Sequence, residues 1–291
     1  MLAVIGTVPE ADFPLTAGMV ERGEQGLLIQ GRRIRVTRGT AALLAAACAC
    51  LQTLHHPNPF GFLVGDIGLG QGSEKLYEHL AGHLEDNAFI AITFHYILPM
   101  VDWHNRVFFA LEELRPRPCL IADAGYMYVA KMSGYAPEYD LFTPDAGELA
   151  FLADEEAPHP FYTQGFILHE ENKVPDLILR AYAHDNAARY LLIKGQRDYL
   201  ASKEGILATV ADPEVETLEP IGGTGDTLTG IVSALIAAGY DIVTAATIAA
   251  RVNRVAGYLA QPTPASALKE IVDQIPAALE FVLQEHHGQE I

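Results

Sequence analysis

Apolar residues fall in short unbroken runs, and the runs alternate with longer amphipathic or Ala/Leu-rich stretches along most of the chain. The runs at 1–6, 26–31, 60–65, 88–94, 118–125, 140–144 and 190–195 predict strands. Helical spacing follows over 39–54, from about Glu74, over 102–114, from Asp145, and over 174–186, 231–239, 242–259 and 265–283. Strands without apolar/polar alternation bury both faces, as parallel strands between two helical layers do. The pattern therefore predicts one α/β domain over 1–291, a three-layer α/β/α sandwich around a mostly parallel sheet. Residues 199–202 and 206–210, with Lys203-Glu204-Gly205 between them, predict a hairpin. The signal between the first two strands is weak, and 154–173, acidic and interrupted by proline, reads as a surface excursion.

Composition narrows the partners. The formal net charge is −18, which disfavours a nucleic-acid groove or an anionic membrane surface. An anionic substrate then needs a local positive field, so glycine loops and helix N-termini gain weight. Cys48, Cys50 and Cys119 form no disulfide framework, as expected in a reducing compartment. Cys48 and Cys50 fall on different faces of a helix and make a poor metal pair. The apolar stretch 40–51 is far shorter than the roughly 20 residues of a membrane span. With no secretory leader pattern, the expectation is a cytoplasmic protein acting on small molecules. A homo-oligomer is compatible with the apolar helices, and nothing marks an interface.

The strongest chemical signal is Ile221-Gly222-Gly223-Thr224-Gly225-Asp226-Thr227-Leu228-Thr229-Gly230, set before an apolar helix. Glycines let several N–H groups face one small volume, and the helix aims its positive end there. Phosphoryl transfer needs such a site, because its catalysis is mostly positioning and charge stabilisation. Asp226 in that field would stay ionised and could take a proton from an attacking hydroxyl. Thr224, Thr227 and Thr229 could add hydroxyl donors. A simple helix cap, with Asp226 satisfying backbone N–H groups, fits the same letters.

Other candidates sit at strand ends. Asp123 closes the 118–125 run, where ligands of open α/β sheets bind. Asp145 and Glu148, three apart at a helix start, could hold Mg²⁺ through its waters or form a capping box; the two are compatible. Lys194 either contacts phosphate or closes its strand in solvent. Arg251, Asn253 and Arg254 lie on the helix after the glycine loop, within approach of a nucleotide. Arg32, Arg33, Arg35 and Arg38 form an unusual cluster, best read as a solvated hairpin edge rather than a phosphate contact. The glycines at 68, 70 and 72 lack the spacing of a dinucleotide fingerprint, and no glycine run leads into Lys-Ser/Thr, so a P-loop is absent. The stretch from His95 to Asn105 could line a pocket with Trp103 stacking on a ring, although a lone tryptophan at a helix start more often packs. His55 and His56 read as a solvated helix end.

Gly222–Gly230 resembles the signature of the ribokinase-like superfamily, most of all its NAD(P)H-hydrate dehydratase branch. Ala122-Asp123 resembles the strand-end Asp-Ala-Asp of that branch, with Ile121 in place of the first acid. Thr143-Pro144-Asp145-Ala146-Gly147-Glu148 resembles its Thr-Pro-His-Pro-Gly-Glu, with Asp145 in place of histidine. Lys194-Gly195 resembles the family's Lys-Gly beside the nucleotide, and Gly68 to Gly72 its loop flanking the acceptor substrate. Of the His-Gly-x-Ala-Gly usual later in the dehydratases, Ala256-Gly257 is present. The resemblance covers most of the chain after Gly26. It implies a ribokinase-like fold, ATP or ADP with Mg²⁺, an anion hole on Gly223 and Gly225, and Asp226 as base. Gly222, Thr227, Lys194, Gly195 and Asn253 would line the nucleotide, Gly68, Gly70 and Asp123 the acceptor. The implied reaction is nucleotide-dependent dehydration of hydrated NAD(P)H. A kinase of a sugar, nucleoside or vitamin precursor uses the same parts, and a non-catalytic nucleotide-binding regulator would have no need of Asp226.

Overall fold

The computed structural model describes residues 1–84, 88–157, 173–218, 220–263 and 265–289. Its strands are β1 (Leu2–Val8), β2 (Thr16–Gly23), β3 (Gly26–Ile29), β4 (Arg32–Ile34), β5 (Phe60–Gly65), β6 (Ala91–His95), β7 (Cys119–Ala122), β8 (Leu141–Phe142), β9 (Tyr190–Ile193), β10 (Asp198–Ser202) and β11 (Gly205–Val210). They form one sheet in the order β11-β10-β9-β8-β7-β6-β1-β5-β2-β3-β4. The centre, from β9 to β5, is parallel. Antiparallel strands extend both edges. The helices are α1 (Thr40–Thr53), α2 (Gln71–His83), α3 (Val101–Glu113), α4 (Gly125–Met132), α5 (Ala146–Ala153), α6 (Val174–Ala183), α7 (Thr224–Ala237), α8 (Ile242–Ala260), α9 (Leu268–Val272) and α10 (Ile275–Gln289).

The three layers follow from β1, in which every residue is buried. Successive side chains of a strand point to opposite faces. Leu2 and Val4 join one apolar cluster with α1, α7, α8, α9 and α10. Ala3 and Ile5 join the other with α2 to α6. On the first face α1 and α7 approach very closely, because α1 is rich in alanine and buried from Thr40 to Leu51. A methyl at Gly230 would lie 2.2 Å from the Leu43 carbonyl oxygen. Cys48 and Cys50 are buried in this layer and unpaired.

Three elements depart from the expectations above, the first being helix α4, which begins at Gly125 inside the run expected to be strand. Strand β2 occupies the stretch of weak signal; Thr16, Gly18 and Val20 face inward between exposed or half-buried neighbours, and pairing with β5 supplies what the local sequence lacks. The single helix expected over 265–283 is two, α9 and α10, separated at Asp273-Gln274. Most of the acidic excursion lies outside the described residues. Among the described residues no helix is long and apolar enough to cross a membrane.

Candidate active site

The carboxyl ends of the parallel strands deliver the polar side chains to one place. His95 ends β6, Asp123 follows β7, Thr143 follows β8 and Lys194 follows β9. The residues just after the first two, Tyr96 and Ala124, hold φ of 52° and 53°, a strained geometry for non-glycine residues that clusters at functional sites. From the other layer, the N-termini of α1 and α7 arrive at the same spot. Their junction is a hydrogen bond from the Gly39 N–H to Asp226 Oδ2 of 2.6 Å.

The glycine loop opens α7 without a side-chain cap. Gly223 is the cap residue at φ 99°, and a side-chain carbon there would sit 2.7 Å from Leu268 Cδ2 and 3.1 Å from the Arg38 Cα. Both the conformation and the space therefore require glycine. A carbon at Gly225 would lie 3.4 Å from Lys194 Cδ, so the lysine stem runs directly beneath the loop. Uncapped first-turn N–H groups beside a cation form an anion-binding cradle.

Asp226 stands in the first turn of α7 but does not cap that helix. Its Oδ1 lies 3.1 Å from His95 Nε2, and its Oδ2 takes the Gly39 N–H. Burial alone would raise its pKa, but the His95 hydrogen bond and charge, Lys194 and the Gly39 N–H hold the carboxyl below its ordinary value. Asp123 is enclosed. Lys194 Nζ donates to its two oxygens at 2.8 and 3.0 Å, the Thr229 hydroxyl at 2.6 Å, and His95 Nε2 lies 3.6 Å away. Burial would lower the pKa of the Lys194 ammonium, yet Asp123 and Glu148 outweigh it and hold the amine charged. Asp123, expected to flank the acceptor, thus reaches the cleft through Lys194 and His95 rather than directly.

Asp145 and Glu148 form the capping box of α5: Glu148 N–H donates to Asp145 Oδ1 at 2.7 Å, and Asp145 N–H to Glu148 Oε2 at 2.8 Å. Burial, with the nearby Asp123 and Asp145 charges, pushes the Glu148 carboxyl up to about 8 against the pull of Lys194. One oxygen of each carboxylate is free of the cap, so the pair offers the oxygen ligands that Mg²⁺ takes. Tyr96, 52% exposed, lies beside these groups; burial of part of its ring and the charges of Asp226, Glu148 and Asp123 push its hydroxyl up to about 12.

Several expected contacts are spent inside the protein. Thr227 and Thr229 are fully buried, and their hydroxyls donate to Asn253 Oδ1 (2.7 Å) and Asp123 rather than to the cleft. Asn253 in turn donates to the Thr224 carbonyl at 3.0 Å, bracing the loop from behind. Gly195 gives its N–H to Asp198, and its carbonyl accepts from Arg254. Arg254, buried, also pairs with Asp198 at 2.8 Å and clasps that turn. In the Gly68–Gly70 loop the amides converge on the protein's own Asp66, which accepts from Gly68, Leu69, Gly70 and Ser73. Ser73 Oγ then receives the Leu98 N–H at 3.1 Å, tying the loop to the segment after Tyr96. His104 belongs to the aromatic core, 2.9 Å from the Tyr139 hydroxyl, and Trp103 carries Arg106 over its ring at 4.6 Å.

Two features escaped the sequence. The exposed Arg32 and Arg33 on β4 match a solvated edge, but Arg38 packs its backbone against Gly223 and its stem near Gly222, beside the anion cradle. His95, within the stretch expected to line a pocket, is the second. The signal available was its position: a histidine at the carboxyl end of a buried strand, level with Asp123 on the next strand.

A parallel sheet between two helical layers, carrying an uncapped glycine loop and an aspartate at its carboxyl ends, is the ribokinase-like architecture. The chain belongs to the Carb_kinase family, described as NAD(P)H-hydrate dehydratase, whose profile matches residues 99–277. It is 41% identical over 221 residues to the uncharacterized protein MJ1337 of Methanocaldococcus jannaschii, covering 76% of this chain and 90% of that one. The fold is similar to that of the ADP/ATP-dependent NAD(P)H-hydrate dehydratase from Bacillus subtilis co-crystallized with ATP and Mg²⁺ (TM-score 0.56, 15% identity, 97% and 89% of the two chains). It is similar also to a ribokinase-like superfamily protein of Enterococcus faecalis (0.55, 15%, 97% and 87%). A third likeness is to the Bacillus subtilis pyridoxal kinase solved as an ADP complex (0.54, 16%, 86% and 88%). Family membership sets the chain among enzymes of the kinase and hydrate-dehydratase type.

Proposed function

We propose that the protein is an ADP- or ATP-dependent NAD(P)H-hydrate dehydratase. The observation that carries this reading is Asp226: an aspartate kept below its ordinary pKa, 12% exposed, in the same first turn as the uncapped N–H groups of its own helix. Asp226 takes the proton of the hydrate hydroxyl as that oxygen bonds to the terminal phosphorus of the nucleotide. The bond from that phosphorus to its bridging oxygen breaks, and the shortened nucleotide leaves. The N–H groups of the Gly222–Asp226 turn steady the charge on the migrating phosphoryl oxygens. Phosphate then departs with the carbon–oxygen electron pair while an adjacent ring carbon gives up a proton, restoring the dihydronicotinamide. Asp145 and Glu148 would hold Mg²⁺, whose contribution when bound is to neutralise phosphate charge.

Phosphorylation of a small alcohol that stops at the phosphoester is the second reading, favoured by the same base and cradle and by the likeness to a pyridoxal kinase fold. Purified protein incubated with ADP or ATP and Mg²⁺ against hydrated NADH and a panel of small alcohols separates the two. Loss of hydrate with release of phosphate supports the dehydratase. A stable phosphorylated alcohol with the hydrate untouched overturns it in favour of the kinase.

A further inference from the structure

Among the described residues, Asp226 has two hydrogen-bond partners at its carboxylate, and one is a side chain, His95. His95 Nε2 lies 3.1 Å from Asp226 Oδ1 and 3.6 Å from Asp123 Oδ2, while Nδ1 lies 3.0 Å from Thr40 Oγ1. The ring is fully buried. A nitrogen facing two carboxylates carries the proton, so Nε2–H points at Asp226, and the Thr40 hydroxyl donates to Nδ1 in the neutral ring.

We propose that His95 is a positioning residue for Asp226, locked between Thr40 and the Lys194–Asp123 pair so that it aims the carboxylate at the acceptor hydroxyl. The inference rests on Asp226 being the base. With Gly39 holding Oδ2 and His95 holding Oδ1, the carboxylate cannot turn about its terminal bond. Asp123 is the weaker partner for the imidazole, 3.6 Å away against 3.1 Å for Asp226, and its oxygens already accept from Lys194, Thr229 and the Ala124 N–H. The ionisable groups facing this cluster are Asp226 from α7, Asp123 beyond β7, Lys194 beyond β9, Glu148 from α5 and Tyr96, whose ring meets that of His95 edge-on. Of the groups acting on Asp226, His95 opposes its burial most strongly. The positive φ of Tyr96 carries the chain off the strand immediately after the imidazole has been delivered.

His95→Leu and His95→Gln test this, since glutamine retains an N–H that can reach Asp226. For His95→Leu, kcat should fall on the order of a hundredfold while KM for nucleotide stays within a few-fold, and the acid limb of kcat should move up by about one pH unit. His95→Gln should recover at least about a tenth of wild-type kcat and the original acid limb. A readout free of turnover is ¹³C NMR titration of the aspartate carboxyls, with Asp226 assigned by difference against Asp226→Asn. Its midpoint should rise in His95→Leu and return in His95→Gln. An Asp226 titration that does not move, or a loss confined to KM, overturns the proposal. If wild-type protein neither consumes hydrated NADH nor phosphorylates any alcohol of the panel while the NMR midpoint still shifts, the reaction is wrong and the His95–Asp226 pairing stands.

Discussion

The Gly39 N–H and the Asp226 carboxylate, 187 positions apart, meet at 2.6 Å where two helices begin. Each helix contributes what the other lacks: α1 a free first-turn donor, α7 an acid that leaves its own N–H groups open. The bond requires the close approach of α1 and α7, and so it links the packing of the alanine-rich layer to the chemistry at its end.

Asp226→Asn should abolish turnover, by at least about a hundredfold, while nucleotide affinity stays within a few-fold. The amide has one acceptor oxygen for two donors, Gly39 and His95, so a modest stability loss accompanies it. Steady-state kinetics with isothermal titration of ADP or ATP distinguishes the two effects; full activity in the variant would remove Asp226 from the mechanism.

The Glu148 carboxyl, raised to about 8, makes folding take up a proton between the ordinary carboxylate range and pH 8. The folded state binds more protons than the unfolded state in that window, so stability should fall as pH rises through it. Glu148→Gln removes the titrating group. Urea denaturation of both proteins from pH 5 to 9, with Mg²⁺ absent, should give a flatter stability profile for the variant.

The same variant tests the cation. Activity of Glu148→Gln should saturate only at higher Mg²⁺ than wild type, because one of two carboxylates at the start of α5 no longer bears charge. An unchanged Mg²⁺ titration would leave Glu148 with the capping role alone.

Gly230→Ala should destabilise the fold by about 1–3 kcal/mol, since its methyl would meet the Leu43 carbonyl oxygen at 2.2 Å and Ala46 Cβ at 3.0 Å. Prising α1 from α7 also lengthens the Gly39–Asp226 bond, so kcat should fall with stability. Thermal melts and turnover measured well below the melting temperature check both.

Lys194→Met strands the Asp123 carboxylate, which is 1% exposed and loses its only cation among the described residues apart from a protonated His95. Breaking a buried pair from one side costs about 3–5 kcal/mol. Adding Asp123→Asn to Lys194→Met should return part of that loss in chemical denaturation. Equal instability of single and double variants would argue against the pair.

Much of this arrangement was legible in the chain. Unalternating strands with helices between them implied the three layers, and Asp145 with Glu148 implied the capping box that α5 carries. The glycine loop announced a helix start with free N–H groups. Strand β2 was not legible, because its inward face includes Thr16 and Gly18 and its identity comes from pairing with β5. The internal hydrogen bonds of Asp123, Thr227 and Gly195 were not legible for a related reason: sequence shows which polar groups exist, not which of them the fold satisfies internally.

The sequence by itself determined the layers, most of the strands and helices that build them, and the glycine-rich start of α7, because each depends on periodicity or on backbone freedom within a few residues. Only the tertiary structure decided that His95, Asp123, Lys194 and Asp226 share one site, with Thr40 and Gly39 completing it. Those contacts join strand ends and helix starts far apart in the chain. Their distances are fixed by how tightly α1, α7 and the sheet pack, which no local pattern encodes.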